Sequence, residues 1–228
     1  NVAWLLNLRG KDHPNSPIPN CKLILTKDKK IYFFSCPKKI FKIKKIKDYK
    51  KFQFVKYENF EKVIKVLKGK NFSVDKLSCS IFNENIIKSF FKIKSDIDPC
   101  YCIKSIKNKL EINNMINAHI EDGVALTKFI FWIKNTNNKK ITEISAQKKL
   151  EQFRKLNKNY LFPSFNTIAG TGSNGAIIHY KAKKGSEKII KKNDIFLCDS
   201  GGQYKYGTTD VTRTICFSKK KLTIKEKY

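Results

Sequence analysis

Two aspartates beside a glycine-containing turn could act together on a metal ion. Asp199 and Asp210 are eleven residues apart, and each adjoins a segment typical of a β-strand. If the two strands pair antiparallel, both carboxylates can meet on one face of the sheet. Paired carboxylates repel unless a proton or cation lies between them. Oxygen ligands suit Mn²⁺, Mg²⁺ or Ca²⁺, with Zn²⁺ or Co²⁺ if imidazole joins. By itself the spacing favours the plainer interpretation, in which both aspartates cap turns.

His179 is a further residue that could act on a substrate, because imidazole titrates near neutral pH. On sequence alone, a core histidine with a hydrogen-bonded ring is the more common interpretation. Just before it, residues 170–175 read G-x-G-x-x-G, the dinucleotide fingerprint. That fingerprint works where a helix N-terminus follows and faces the pyrophosphate. Residues 176–180 are instead typical of a strand, so we expect no nucleotide site here.

The first part of the chain predicts a small α/β unit. Residues 22–26 and 31–34 are short apolar segments joined by a polar turn, which indicates a hairpin. Residues 61–67 have the apolar spacing of a helix. The lysine-biased residues 38–51 are interleaved with Ile and Phe, and we expect a solvated strand or loop there.

A change of pattern at Asp98-Pro99 predicts a domain boundary, with domains at 1–98 and 99–228. Beyond it, Asn108 and Glu111 have the spacing of a helix-capping pair. Ile112, Ile116, Ile120 and further residues form one apolar face of the helix that follows. Because Ala125, Leu126 and Phe129 lie off that face, we expect this long helix to be well buried. A second helix is predicted at 142–156. Strands are predicted at 167–169, 176–180, 195–199 and 209–217. Helices followed by strands and short turns predict an α+β domain with an antiparallel sheet.

Composition narrows the class of protein. The formal net charge is +29, but 45 of the 48 basic residues are lysines, spread along the chain. Specific readout of nucleic acid favours arginine, so we expect no specific nucleic-acid partner. Lysine, isoleucine and asparagine share A/T-rich codons, which accounts for the excess. Seven cysteines without zinc-type spacing or a secretory leader predict reduced thiols in a cytoplasmic protein. The longest apolar runs are too short to span a membrane.

The surroundings of the two aspartates carry a family resemblance. The segments DSGGQY (199–204) and GTTDVTRT (207–214) resemble the metal-binding hairpin of the Xaa-Pro aminopeptidases, within the wider pita-bread group of metallopeptidase family M24. Further motifs follow the family's order along nearly the whole chain: AWLLNLRG at 3–10, a long-helix motif at 106–126, and SFNTI and NGAIIHY at 164–168 and 174–180.

The resemblance implies a fold, a reaction and roles for three residues. The fold is a creatinase N-terminal-like domain followed by the first half of a pita-bread domain. The reaction is hydrolysis of the bond between an N-terminal residue and a following proline, by hydroxide bridging two divalent metals. Mn²⁺ is the implied metal, with Zn²⁺ or Co²⁺ as alternatives. Asp199 would bind one metal ion, Asp210 would bridge both, and His179 would line the substrate pocket and stabilise the tetrahedral intermediate. The resemblance also implies a homodimer that acts on peptides with proline at the second position.

The sequence departs from the family pattern in ways that limit these expectations. The family's dinuclear site needs one further His and two Glu, whereas Glu226 is the only such residue after Arg213. We therefore expect the reading frame to extend beyond both ends, and this stretch alone to be inactive. Tyr206 stands where an acidic residue is common and Glu121 where arginine is common; we expect both to be surface changes. Two other interpretations stay open, a non-catalytic pita-bread binding module and a lysine-driven polyanion binder.

Overall fold

The computed structural model describes residues 1–136 and 140–217, and the chain divides into two compact units. The first unit comprises residues 1–13 and 17–106. The second comprises residues 14–16 and those from 107 onward.

The first unit is a mixed α/β unit, as predicted. Strand β2 pairs antiparallel with β1 and parallel with β3, while β4 and β5 form a separate parallel pair. The parallel pairs are joined by helical crossovers, and the buried residues form two clusters, one that includes Phe34 and Ile64 and one that includes Phe33. The elements are α1 (Val2–Leu5), β1 (Lys22–Leu25), β2 (Ile31–Ser35), α2 (Pro37–Ile43), β3 (Gln53–Lys56), α3 (Phe60–Val66), β4 (Asn71–Asp75), α4 (Ile81–Lys88), β5 (Lys92–Asp96) and α5 (Cys100–Ser105).

The predicted hairpin and helix of this unit are confirmed, but the prediction for residues 38–51 is wrong. That stretch contains helix α2 and a short 3₁₀ helix at Lys47–Tyr49 instead of a strand or loop. Pro37 occupies the first turn of α2, where its missing N–H is not needed. Ile40 and Ile43, three residues apart, are buried together. The lysines between them masked this helical spacing.

The second unit combines two helices with antiparallel strands, which confirms the α+β prediction. Strands β7, β8 and β10 form one sheet in the order β10-β8-β7, and β6 pairs with β9. The core lies between this sheet and the helices and includes Phe129, Leu150 and Phe196. The elements are α6 (Lys109–Asn135), α7 (Glu143–Lys155), β6 (Tyr160–Pro163), β7 (Ile168–Thr171), β8 (Ile195–Ser200), β9 (Gly202–Tyr204) and β10 (Val211–Cys216).

Helix α6 begins as predicted but is buried on a different face. The Asn108 side chain accepts a hydrogen bond from the Glu111 backbone N–H, and the Glu111 carboxylate accepts one from the Asn108 N–H, each at 2.9 Å. The buried face consists of Ala118, Asp122, Ala125, Leu126, Phe129 and Ile133. The predicted apolar face is exposed in this unit, with Ile116 53% and Ile120 61% accessible. The expectation of a well-buried helix is therefore wrong for this face.

The strand predicted at residues 176–180 is also absent. After β7 the chain forms a 3₁₀ helix at Gly172–Ala176 and then a turn. Gly172 and His179 adopt left-handed backbone angles, with φ of 55° and 54°, which an extended strand cannot contain. The G-x-G-x-x-G pattern is thus followed by a turn. The predicted strand was therefore a wrong reason for expecting no nucleotide site here.

Candidate metal centre

The antiparallel pairing of β8 and β10 sets the positions of the two aspartates. Asp199 lies opposite Thr212, whose hydroxyl donates a 2.9 Å hydrogen bond to the Asp199 carboxylate. Asp210 directly precedes β10 and is two residues before Thr212. If the alternation of β10 is extended by one residue to Asp210, its side chain is expected on the face of Thr212 and Asp199. Asp199 is half-buried and Asp210 exposed, so this face is open to solvent.

The connection between the aspartates is held by contacts that only glycine permits at one position. A Cβ atom on Gly201 would lie 2.0 Å from the Thr209 carbonyl oxygen and 2.3 Å from the Ser164 hydroxyl. That hydroxyl donates to the same carbonyl at 2.8 Å. The Gly202 N–H donates to the Thr209 hydroxyl at 2.9 Å. These bonds hold Thr209, which precedes Asp210, against Gly201 and Gly202, which follow β8.

His179 lies outside the sheet, in the segment between β7 and β8. It is exposed and occupies a turn in the left-handed conformation. Strain of this kind is concentrated at functional sites, although it does not by itself identify one. His119, in contrast, is on α6 with its Nδ1 2.9 Å from the carbonyl oxygen of Met115, one helical turn away.

Behind β8, a buried ion pair supports the strand that carries Asp199. The guanidinium of Arg154 contacts Asp122 through Nε at 2.7 Å and Nη2 at 3.0 Å, and both side chains are almost fully buried. The same Nη2 donates to the hydroxyl of Ser200 at 3.1 Å, and the Tyr204 hydroxyl donates to Asp122 at 2.8 Å. Burial opposes the charge on Arg154, but the contact with Asp122 wins and raises the pKa of the guanidinium. Burial and the bond to Asp122 also raise the pKa of Tyr204. We call these four side chains the Arg154 network.

A second buried carboxylate lies at the start of α7. Glu143 is fully buried and accepts hydrogen bonds from the backbone N–H groups of Thr171 and Lys188, at 2.9 and 3.0 Å. It also accepts from the Asn174 amide at 3.0 Å and the Tyr180 hydroxyl at 2.8 Å. Burial alone would raise the pKa of Glu143, but these four donors outweigh it and lower the pKa. We call this set the Glu143 network.

The open face also carries a shallow groove of about 470 Å³. Leu197 and Thr214, which pair across β8 and β10, line it together with Asp194. Both share the sheet face of Asp199 by alternation. The groove therefore lies on the sheet face that carries Asp199 and could accommodate a small part of a ligand.

Asp199 and Asp210 fit part of a metal centre. Their carboxylate oxygens suit a hard divalent cation, and a cation would relieve their repulsion. Within residues 1–136 and 140–217, no group of three or more His, Cys, Asp or Glu side chains is arranged to hold an ion. Glu226 lies outside the described residues. The two aspartates thus provide an incomplete ligand set.

Sequence reasoning missed both buried networks, although one signal was visible. Arg154 is one of only three arginines beside 45 lysines, which indicates a position where a planar guanidinium is needed. Nothing in the sequence marked Glu143, which was expected only to begin a helix.

Glu121 and Tyr206, the two residues that depart from the family pattern, are not independent surface changes. Both side chains are half-buried. The Asn159 amide donates to Glu121 at 3.1 Å and to the Tyr206 hydroxyl at 3.2 Å. A hydrogen bond from Tyr206 also lowers the pKa of Glu121, against the opposing effect of burial. The two unusual residues therefore form one cluster.

Comparisons with known proteins agree on both units. The model of metallopeptidase family M24 matches residues 113–228, and the model of the creatinase/prolidase N-terminal domain matches residues 1–111. A Xaa-Pro aminopeptidase of Drosophila melanogaster is 35% identical over the whole chain, and aminopeptidase P2 of Arabidopsis thaliana is 31% identical over 99% of it. The chain spans 38% and 36% of the length of these two relatives.

Solved structures give the same result. The crystal structure of an X-prolyl aminopeptidase from Caenorhabditis elegans, described as a cytosolic enzyme with a di-nuclear active site, superposes with a TM-score of 0.82 at 27% identity. The match covers 96% of this chain and 37% of that one. The prolidase of Pyrococcus furiosus shares the fold, with a TM-score of 0.71 at 22% identity over 99% of this chain and 62% of its own.

Among the described residues, every helix is too short or too polar to cross a membrane.

Proposed function

Because the chain belongs to metallopeptidase family M24, we propose that it is part of a metal-dependent aminopeptidase that cleaves the bond between an N-terminal residue and a following proline. The observation that carries the proposal is the antiparallel pairing of β8 with β10, which puts Asp199 opposite Thr212, two residues after Asp210. The relatives named Xaa-Pro aminopeptidases support the bond specificity.

In this proposal the two aspartates hold two divalent cations, with Mn²⁺ as the first candidate and Zn²⁺ or Co²⁺ as alternatives. Asp199 would serve as a ligand of one ion and Asp210 as a ligand of both. Bound cations would supply Lewis acidity, which acidifies a water molecule and polarises the scissile carbonyl. Asp199 is oriented for this role by the hydroxyl of Thr212, which occupies one of its carboxylate oxygens.

His179 contributes from the neighbouring segment. Its imidazole is exposed and can donate a hydrogen bond to the substrate and to the oxygen that becomes negatively charged during hydrolysis. The groove beside Leu197 and Thr214 is a candidate for contacts with the peptide.

The remaining ligands must come from outside the described residues, since two carboxylates alone make an incomplete ligand set. We therefore propose that residues 1–228 alone are inactive and that the longer protein is active. We further propose a cytoplasmic homodimer, by analogy with the family and with the cytosolic enzyme of C. elegans.

Calorimetric titration of the full-length, metal-free protein with Mn²⁺ tests the proposal. We expect two ions per chain. Loss of even an outer partner of a metal ligand costs about 10–100-fold in affinity, so Asp210→Asn should weaken binding by more than about 100-fold. Asp96→Asn is the matched control, because this aspartate is exposed and lies in the first unit. Full-length protein that binds no Mn²⁺ would favour the non-catalytic module.

Bond specificity needs a separate measurement on the metal-loaded protein. A tripeptide with proline at the second position should be hydrolysed, and the same tripeptide with alanine there should be hydrolysed far more slowly. Equal rates would contradict the proposed specificity while leaving the metal site intact.

A further inference from the structure

The segment that carries His179 lacks strand pairing where the histidine lies. Between the end of β7 and the start of β8, the structure shows the 3₁₀ helix Gly172–Ala176, the turn at His179, two further turns at 184–186 and 192–193, and an isolated bridge at Ile189. Backbone ladders therefore do not determine where His179 points. The turn is closed by one backbone hydrogen bond, from the Tyr180 N–H to the Ile177 carbonyl at 3.2 Å, and side-chain contacts of its neighbours connect it to the rest of the unit.

Glu143 supplies these contacts from a rigid element. It lies in the first turn of α7, whose N-terminal Thr142 caps the helix through a reciprocal bond with Ser145. From there its carboxylate binds the segment at Thr171, Asn174, Tyr180 and Lys188. One buried side chain thus fixes four points along 18 residues.

His179 lies between two of those points. Asn174 is five residues before it and Tyr180 directly follows it. The Asn174 amide also donates to the Tyr180 hydroxyl at 2.8 Å. Asn174, Tyr180 and Glu143 are therefore each hydrogen-bonded to the other two. The Tyr180 hydroxyl is a donor at neutral pH, and burial and the bond to Glu143 raise its pKa further, to about 12.

The left-handed turn at His179 needs such an anchor. A non-glycine residue with φ near +54° is held in a sparsely populated conformation, which persists only where its surroundings determine it. The bond from Tyr180 to Glu143 fixes the chain immediately after this residue. Without that bond, the backbone at His179 could relax and the imidazole would point elsewhere.

We propose that Glu143 is a positioning residue for His179 and acts through the hydroxyl of Tyr180. The inference rests on the proposed function, in which His179 contacts the substrate. Glu143 itself is fully buried and touches no substrate. Its role differs from that of a purely structural anchor because its removal should affect His179 more than the rest of the fold.

Kinetics of the full-length, metal-loaded protein on a proline-second tripeptide test the proposal. Tyr180→Phe removes only the hydroxyl, and we expect kcat/KM to fall about tenfold to hundredfold, the size expected when a reacting group is misplaced. Tyr160→Phe is the matched control, because this half-buried tyrosine also donates to a glutamate, Glu151, at 2.6 Å. It should change kcat/KM by less than about twofold.

A double-mutant cycle identifies the route of the effect. If Tyr180 acts through His179, then Tyr180→Phe should add little to the loss already caused by His179→Ala. Losses that multiply independently would overturn the proposal. If His179→Ala itself leaves activity unchanged, the role of His179 in the proposed function has failed.

A readout independent of activity is the NMR signal of the His179 ring, assigned by its loss in His179→Ala. Glu143→Gln changes a residue 36 positions away in sequence, so a shift or splitting of this signal would report contact through space. We expect that change, with the His119 signal unmoved. An unchanged His179 signal in Glu143→Gln would overturn the proposal. If Glu143→Gln does not fold, the Tyr180→Phe cycle decides.

Discussion

The two faces of strand β8 differ. On one face the polar groups have hydrogen-bond partners within the protein, and the other face is open to solvent. On the inner face, Phe196, Cys198 and Ser200 are buried, and Ser200 joins the Arg154 network. On the other face, Asp199 is half-buried with Thr212 as its partner, and Asp210 is exposed. Among the described residues, no buried side-chain nitrogen or oxygen lacks a hydrogen bond. The inner polar groups are thus complete within the chain, whereas the outer carboxylates still have free coordination sites.

This difference teaches where stability and chemistry reside. Removing either member of a buried ion pair lowers the free energy of unfolding, because the remaining charge stays buried without a partner. An exposed carboxylate is solvated and can exchange water for a cation at little cost to the fold. We therefore expect substitutions on the inner face to change the free energy of unfolding, and substitutions on the open face to change ligand binding.

The largest effect is expected for Arg154→Leu. Removing the guanidinium leaves Asp122 as a buried, unpaired charge, which should lower the free energy of unfolding by about 3–5 kcal/mol. Equilibrium urea unfolding of the protein measures this loss. Arg213→Leu is the matched control, because this arginine is exposed and its hydrogen bond among the described residues is to the adjacent carbonyl of Thr212. Equally small losses for Arg154→Leu and Arg213→Leu would contradict the expected difference between the two faces.

A smaller effect is expected for Tyr204→Phe. The change removes one donor to the charged Asp122 and keeps the ring, so the loss should be about 1.5–3 kcal/mol. The same urea measurement applies. In an Asp122→Asn background the loss should shrink, since the acceptor no longer carries a charge. An undiminished loss would show that the hydroxyl acts through other contacts.

The smallest effect is expected for Asp210→Asn in metal-free protein. The side chain is exposed, so stability should change by no more than about 0.5 kcal/mol in either direction. Thermal and urea unfolding without added metal measure the change. A loss as large as that of Tyr204→Phe would mean that the open face stabilises the fold through its own contacts, and the contrast between the faces would fail.

Local signals made much of the fold predictable. The capping pair Asn108 and Glu111 marked the start of α6, and Thr142 marked the start of α7. The apolar segments around Asp199 and Asp210 indicated β8 and β10, and their antiparallel pairing followed from the short connection. Signals within a few residues of one another suffice for such features.

The failures have physical causes of two kinds. In residues 176–180, the preference of the side chains for a strand was overridden by the left-handed turn at His179, which the sequence pattern does not reveal. On α6 two apolar faces were available, and only tertiary packing selected the one containing Ala118 and Phe129.

Long-range partners were beyond the reach of the sequence pattern. Asp122 and Arg154 are 32 residues apart, and the donors to Glu143 lie 28 to 45 residues away. No periodicity specifies which buried acid meets which donor. The roles of Asp199, Asp210 and His179 remain predictions from family resemblance, with a geometry that is compatible for the two aspartates.

The fork-shaped contact of Arg154 has a consequence for mutation of the gene. One G-to-A substitution changes an AGA arginine codon to the AAA lysine codon, in the direction of the base composition that this lysine excess indicates. Arg9 and Arg213 each donate to the backbone carbonyl next to them, a contact that an ammonium group can replace. At position 154, an ammonium cannot span both oxygens of Asp122 and the hydroxyl of Ser200 in the same geometry. Lysine at position 154 would therefore lose contacts that lysine at positions 9 and 213 could keep.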